Sequence, residues 1–186
     1  MFKETSKELL EFLSKSPTAF HAVENYRQIL NADGFKELLE SEHWDIVPGG
    51  KYYVTRNNTS ILAFKVGTKL DNYSFNIVTS HTDSPTFKVK ENAEIEVKNK
   101  YTQLNTEGYG GMLCATWLDR PLSIAGRVLV SEGNSIVTKL LNIDRDLLMI
   151  PNVAIHMNRA ANDGFKYNLQ VDMLPLLSGG DDRQKD

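Results

Sequence analysis

Apolar positions recur with a helical period as far as Gly34 and with a strand period over much of the remaining chain. Leu9, Leu10 and Leu13 fall on one face behind Thr5-x-x-Glu8, a capping-box pattern, and Ser16-Pro17 stops the segment, so a first helix is predicted there. A second follows the proline: Val23, Tyr26 and Leu30 share a face, Ile29 widens it, and Gly34 stands where a left-handed residue closes a helix. Both are predicted to pack on a sheet. After Pro48-Gly49-Gly50 the chain predicts a strand over 51–55, a turn over 56–59 and a hairpin partner over 60–66. Residues 75–80, rich in β-branched and aromatic types, predict a buried strand that runs into His81-Thr82-Asp83 and ends before Pro85.

Past Pro85 the texture changes. Phe87 and Val89, then Ile95 and Val97, lie two apart, and runs over 123–131 and 135–143 flank the tight-turn candidate Glu132-Gly133-Asn134. The prediction is an α/β first domain over 1–85 and a mainly β second domain over 86–186, with a flexible tail over 178–186.

Composition narrows the function classes. With 186 residues and 41% hydrophobic content the chain can build the core of one ordinary domain or two small ones. A net charge of -3 argues against a nucleic-acid partner, since phosphate binding needs a concentrated basic surface. Cys114 has no second cysteine to pair with, reads as a small buried apolar residue, and fits a reducing compartment. Met1-Phe2-Lys3-Glu4 does not open a signal peptide, and no apolar run approaches the roughly 18 residues of a membrane span. The expectation is a soluble, cytoplasmic protein with no membrane partner.

Chemistry concentrates at the histidines. His81 sits at a predicted strand end, where open α/β sheets place ligand chemistry, and the spacing lets Asp83 reach the ring nitrogen that a metal would not use. The triplet alone is also what an Asp-stabilised turn looks like. His156 follows the run 152–155; by itself it reads as a hydrogen-bonded structural histidine, with no second histidine or cysteine at metal spacing beside it. His21 starts the second helix, where an imidazolium gains nothing from the dipole, and reads as structural or substrate-adjacent; His43 reads as surface. Gly110-Gly111 permits a backbone too tight for a Cβ, and Asp119-Arg120 either aims a guanidinium at a carboxylate ligand or caps a turn.

Taken together, Ser16-Pro17-Thr18-Ala19-Phe20-His21-Ala22-Val23, Gly49-Gly50-Lys51-Tyr52-Tyr53, His81-Thr82-Asp83-Ser84-Pro85, Tyr109-Gly110-Gly111, Thr116-Trp117-Leu118-Asp119-Arg120, Gly126-Arg127-Val128, Ala154-Ile155-His156-Met157-Asn158-Arg159 and Met173-Leu174-Pro175-Leu176-Leu177 resemble, in order, the M18 metalloaminopeptidases, the aspartyl aminopeptidase family. Cys114, Leu118 and Pro121 depart from the residues common in that family. The resemblance implies a zinc-aminopeptidase-type α/β domain into which a mainly β dimerisation domain is inserted near residue 86. It implies removal of N-terminal residues, acidic ones by the family's name, with two Zn²⁺ ions. It makes His81 a metal ligand oriented by Asp83. It places His156, supported by Asn158 and Arg159, in the neighbouring subunit's active site, in a dimer-based homo-oligomer or dodecamer. It further implies that the chain is the N-terminal part of a longer enzyme, inactive alone, whose other ligands and general base lie downstream of residue 186. Two other readings stand beside it: another cocatalytic zinc peptidase of the M20, M28 or M42 type, against which the Tyr-Gly-Gly and Trp-x-Asp-Arg segments argue, and a non-catalytic dimerisation or interaction module.

Overall fold

In the computed structural model, which describes residues 2–69, 71 and 74–179, helix α1 spans Phe2–Ser14. It begins before the predicted cap: Ser6 Oγ donates to the Phe2 carbonyl at 2.8 Å, a contact that already requires a helical turn, so Thr5 lies inside the helix. None of its side chains is buried, and its ring contact to the fold is Phe12 against Tyr26, 4.7 Å between centroids. Helix α2 (Ala19–Ala32) is capped by the Thr18 side chain and ends before Gly34, which adopts the predicted positive φ of 80°. Ala22 and Val23 bury its inner face, so the predicted packing on a sheet holds for α2, while Leu9, Leu10 and Leu13 of α1 stay exposed.

The sheet beside α2 has the order β1 (Lys36–Glu37), β2 (Lys51–Arg56), β3 (Ser60–Lys65), with β1 parallel and β3 antiparallel to β2. Asn57 and Asn58, both at positive φ, close the β2–β3 hairpin as a tight turn that asparagine tolerates. Adjacent strand residues face opposite sides, yet Tyr52 and Tyr53 are both buried, because β2 is central and covered on both faces. Tyr53 is fully buried, with its hydroxyl 3.0 Å from Asn31 Oδ1 of α2 and 3.3 Å from Glu37 Oε2. Tyr52 packs on Phe64 and accepts the Val47 N–H at 3.1 Å.

The strand predicted over 75–80 is not formed. Phe75, Ile77 and Val78 are exposed, Val78 at 98%, and the segment pairs with no strand among the described residues. An apolar run encodes the faces of a strand, but only a neighbouring backbone supplies the ladder that makes one.

From Pro85 onward, β4 (Thr86–Val97) and β5 (Tyr101–Tyr109) form a long antiparallel pair, and the two short alternating stretches prove to be one strand with a bulge between Val89 and Glu94. The predicted hairpin is β6 (Ala125–Glu132) and β7 (Ser135–Asn142), turned at Gly133 with φ 61°. Strand β8 (Leu176–Gly179) returns to pair with β5, so Ser178 and Gly179 of the expected flexible tail are strand residues, and 180–186 lie outside the described residues.

The chain divides into two compact units. One comprises the residues up to Ser84 together with Ala125–Asn142, the other Pro85–Ile124 together with the residues from Ile143 onward. The β6–β7 hairpin, assigned to the second domain from sequence, thus groups with the first unit, because Arg127 stacks over the Phe20 ring of α2 at 4.4 Å. In the second unit Leu104, Thr106, Leu148, Ile150, Met173 and Leu174 form the core. No described helix is long and apolar enough to cross a membrane.

Candidate functional site

His81 and Asp83 are brought together as the spacing predicted. His81 Nδ1 lies 2.7 Å from the Asp83 carbonyl oxygen and 3.1 Å from its Oδ1. A carbonyl oxygen only accepts, so Nδ1 carries the proton and donates to both, and the lone pair resides on Nε2. The ring is 80% exposed, so that lone pair is available. This is the form in which a neutral imidazole ligates a metal, with the other ring nitrogen tied to a carboxylate or carbonyl. Between the two, Thr82 Oγ1 donates to the Thr59 carbonyl at 2.7 Å and fastens the loop to the β2–β3 turn.

That turn is a meeting point the sequence did not announce. Arg127 Nη1 donates to Asn57 O and Oδ1, each at 3.2 Å, while its guanidinium covers Phe20. Phe20, Arg127 and Thr82 each belong to a family-like motif, yet nothing in their order shows that Arg127 and Thr82 converge on 57–59 while Arg127 also covers Phe20.

The histidine of the helix pair, His21, sits at the α2 cap. His21 Nδ1 lies 2.8 Å from Thr18 Oγ1 at the α2 cap, and burial lowers its pKa from the ordinary value. His43 is exposed, 3.7 Å from Asp45.

His156 belongs to the second unit and is exposed, in a pair of overlapping turns where Met157 N donates to Ala154 O at 2.8 Å and Asn158 N to Ile155 O at 3.2 Å. Asp119, at φ 56°, holds a distant backbone amide with its carboxylate, Oδ1 accepting the Asn152 N–H at 2.9 Å. Trp117 meets Phe87 edge to face at 5.1 Å, and Gly110, at φ 76°, lies where a Cβ would come within 3.4 Å of Pro85. Cys114 is partly exposed and not the buried residue expected. Among the described residues no three His, Cys, Asp or Glu side chains gather as a metal cluster, so His81 fits a metal site as one ligand of it.

In this α/β layer the exposed His81 imidazole, its Nδ1 held by Asp83, offers one nitrogen of the kind a metal site uses. Residues 12–185 match the aminopeptidase I zinc metalloprotease family, M18, and the chain belongs to it. A probable M18 family aminopeptidase 2 of Clostridium novyi (strain NT) is 50% identical over 175 residues, covering 92% of this chain and 40% of the relative. The aspartyl aminopeptidase of Dictyostelium discoideum is 46% identical over 176 residues, covering 93% and 36%. Among solved structures, the cryo-EM structure of the Ape4 and Nbr1 complex superposes with a TM-score of 0.92 at 39% identity, over 99% of this chain and 36% of that one. The S. cerevisiae mApe1 dodecamer superposes at 0.76 with 26% identity, over 95% and 38%. The chain therefore spans about two fifths of the length of the curated relatives it matches.

Proposed function

We propose that the chain contributes to a zinc-dependent aminopeptidase that removes acidic N-terminal residues from peptides and works as a homo-oligomer. The observation that carries this reading is the His81–Asp83 pair, which holds one exposed imidazole nitrogen ready for a cation. His81 ligates one of two zinc ions, Asp83 and its carbonyl fix the imidazole, and Thr82 fastens the loop that bears them. Bound there, zinc supplies a Lewis acid and a water acidic enough to serve as nucleophile near neutral pH. The remaining ligands and the general base lie outside the described residues. The second unit is the dimerisation insert, and exposed His156 contacts the substrate's reacting oxygen in a neighbouring subunit. The dodecameric state of the yeast relative supports assembly, and the name of the Dictyostelium relative supports the acidic preference. The lone Cys114 accords with a reducing cytoplasm as its location.

The test is zinc content and peptide hydrolysis by the full-length protein carrying this chain, with Asp-, Glu- and Leu-initiated peptides. Loss of about one zinc per subunit and of activity in His81→Ala, with faster turnover of the acidic peptides, supports the reading. Full zinc content and activity in His81→Ala overturns it.

A further inference from the structure

We infer that Asp119 is the positioning residue for His156, holding residues 151–158 in the conformation that presents its imidazole. This role rests on the reading of His156 as a substrate-facing group. The segment leaves the core at Ile150, which is fully buried and bridges to Leu118. From Pro151 to Met157 every residue is exposed, so packing does not hold this stretch and its hydrogen bonds must.

Asp119 supplies two of them, one on each side of Pro151. Its N–H donates to the Ile150 carbonyl at 2.9 Å, and its Oδ1 accepts the Asn152 N–H at 2.9 Å. Proline has no N–H of its own, so these flanking bonds are the clasp. Asn152 Oδ1 then accepts the Val153 N–H at 2.8 Å, and the two turns over 154–158 enclose His156. Hydrogen bonds thus hold 150–153 at the core end, and the turns that enclose His156 follow directly along the backbone, with Asp119 as the first link. Its left-handed backbone, φ 56°, aims both groups at the same strand end. Aspartate and asparagine tolerate that backbone and offer Oδ1; glycine tolerates it and offers nothing.

This difference makes the test. Amide hydrogen exchange on the 186-residue chain compares wild type, Asp119→Gly and Asp119→Asn. Loss of one exposed hydrogen bond predicts Asn152 exchange about 3- to 10-fold faster in the glycine variant, with the asparagine variant close to wild type and Leu104 in the core unchanged. Unchanged Asn152 exchange in Asp119→Gly, acceleration in Asp119→Asn equal to it, or acceleration that includes Leu104 overturns the clasp. In the zinc-loaded full-length protein, Asp119→Gly is expected to lower kcat about 3- to 10-fold with zinc content and KM unchanged, and to add nothing to His156→Phe. Additive losses refute action through His156. If His156→Phe alone leaves kcat unchanged, the substrate role of His156 falls, and the exchange result still decides whether Asp119 holds the segment.

Discussion

Replacing Asp83 tests how the candidate ligand is prepared. Two acceptors hold the His81 Nδ1 proton, the Asp83 carbonyl at 2.7 Å and the carboxylate at 3.1 Å. Asp83→Asn keeps the carbonyl and an Oδ1 acceptor and removes only the charge; Asp83→Ala keeps the carbonyl alone. The pair is exposed, 80% for the imidazole and 41% for the carboxylate, so water screens the charge and its loss weighs little. The shorter bond is the one neither variant touches. The Nδ1–H tautomer should therefore dominate in wild type and in Asp83→Asn, and weaken by about 2- to 10-fold without reversing in Asp83→Ala, the range of one modest hydrogen bond. Long-range ¹H–¹⁵N correlation of the ¹⁵N-labelled chain at pH 9 distinguishes the tautomers directly. In the zinc-loaded full-length protein, Asp83→Asn should weaken zinc by about 10-fold, the lower end of what partners of metal-bound histidines contribute. A dominant Nε2–H tautomer in wild type, or a loss beyond about 100-fold in Asp83→Asn, would refute the reasoning, because the carbonyl would then not be holding the ring.

Tyr53→Phe should lower stability by about 0.5 to 1.5 kcal/mol, since Asn31 and Glu37 are exposed and regain water, whereas Tyr53→Ala should cost about 3 to 5 kcal/mol through the cavity. Urea unfolding checks the ratio, and equal losses in the two variants would contradict the packing described. Burial lowers the His21 pKa, so the folded value lies below the unfolded one near 6.5. Its contribution to stability is complete above pH 6.5 and is lost as pH falls through the folded pKa, and His21→Gln should flatten the stability profile there; a profile of unaltered slope counts against it. Arg127→Ala should loosen the β6–β7 hairpin against α2, seen as faster amide exchange in both strands, and Arg127→Lys should restore it only in part, because an ammonium lacks the planar face and the fork. Full restoration by lysine would mean that charge alone holds the hairpin.

What the amino-acid sequence determined by itself was whatever is settled within a few residues. The Gly34 stop of α2, the Asn57-Asn58 turn of β2–β3 and the Gly133 turn of β6–β7 follow from local dihedral preferences and short hydrogen bonds. The pairing of His81 with Asp83 was legible for the same reason, being a contact across two residues. Even near the start the local signal slipped, since the capping-box residue Thr5 lies within α1. Tertiary structure decided whatever needs a distant partner. The run 75–80 has the composition of a strand, but a ladder depends on another backbone; the exposed face of α1 has the right period, but burial depends on a surface to receive it. Phe20, Asn57 and Arg127 meet only because the β6–β7 hairpin folds back onto the first unit. The protonated nitrogen of His81 depends on a carbonyl oxygen that every residue possesses, so no residue type announces it. Asp119 reaches Asn152 across more than thirty residues because Leu118 and Ile150 are bridged beside them, and a single aspartate in a sequence carries no mark of that distance.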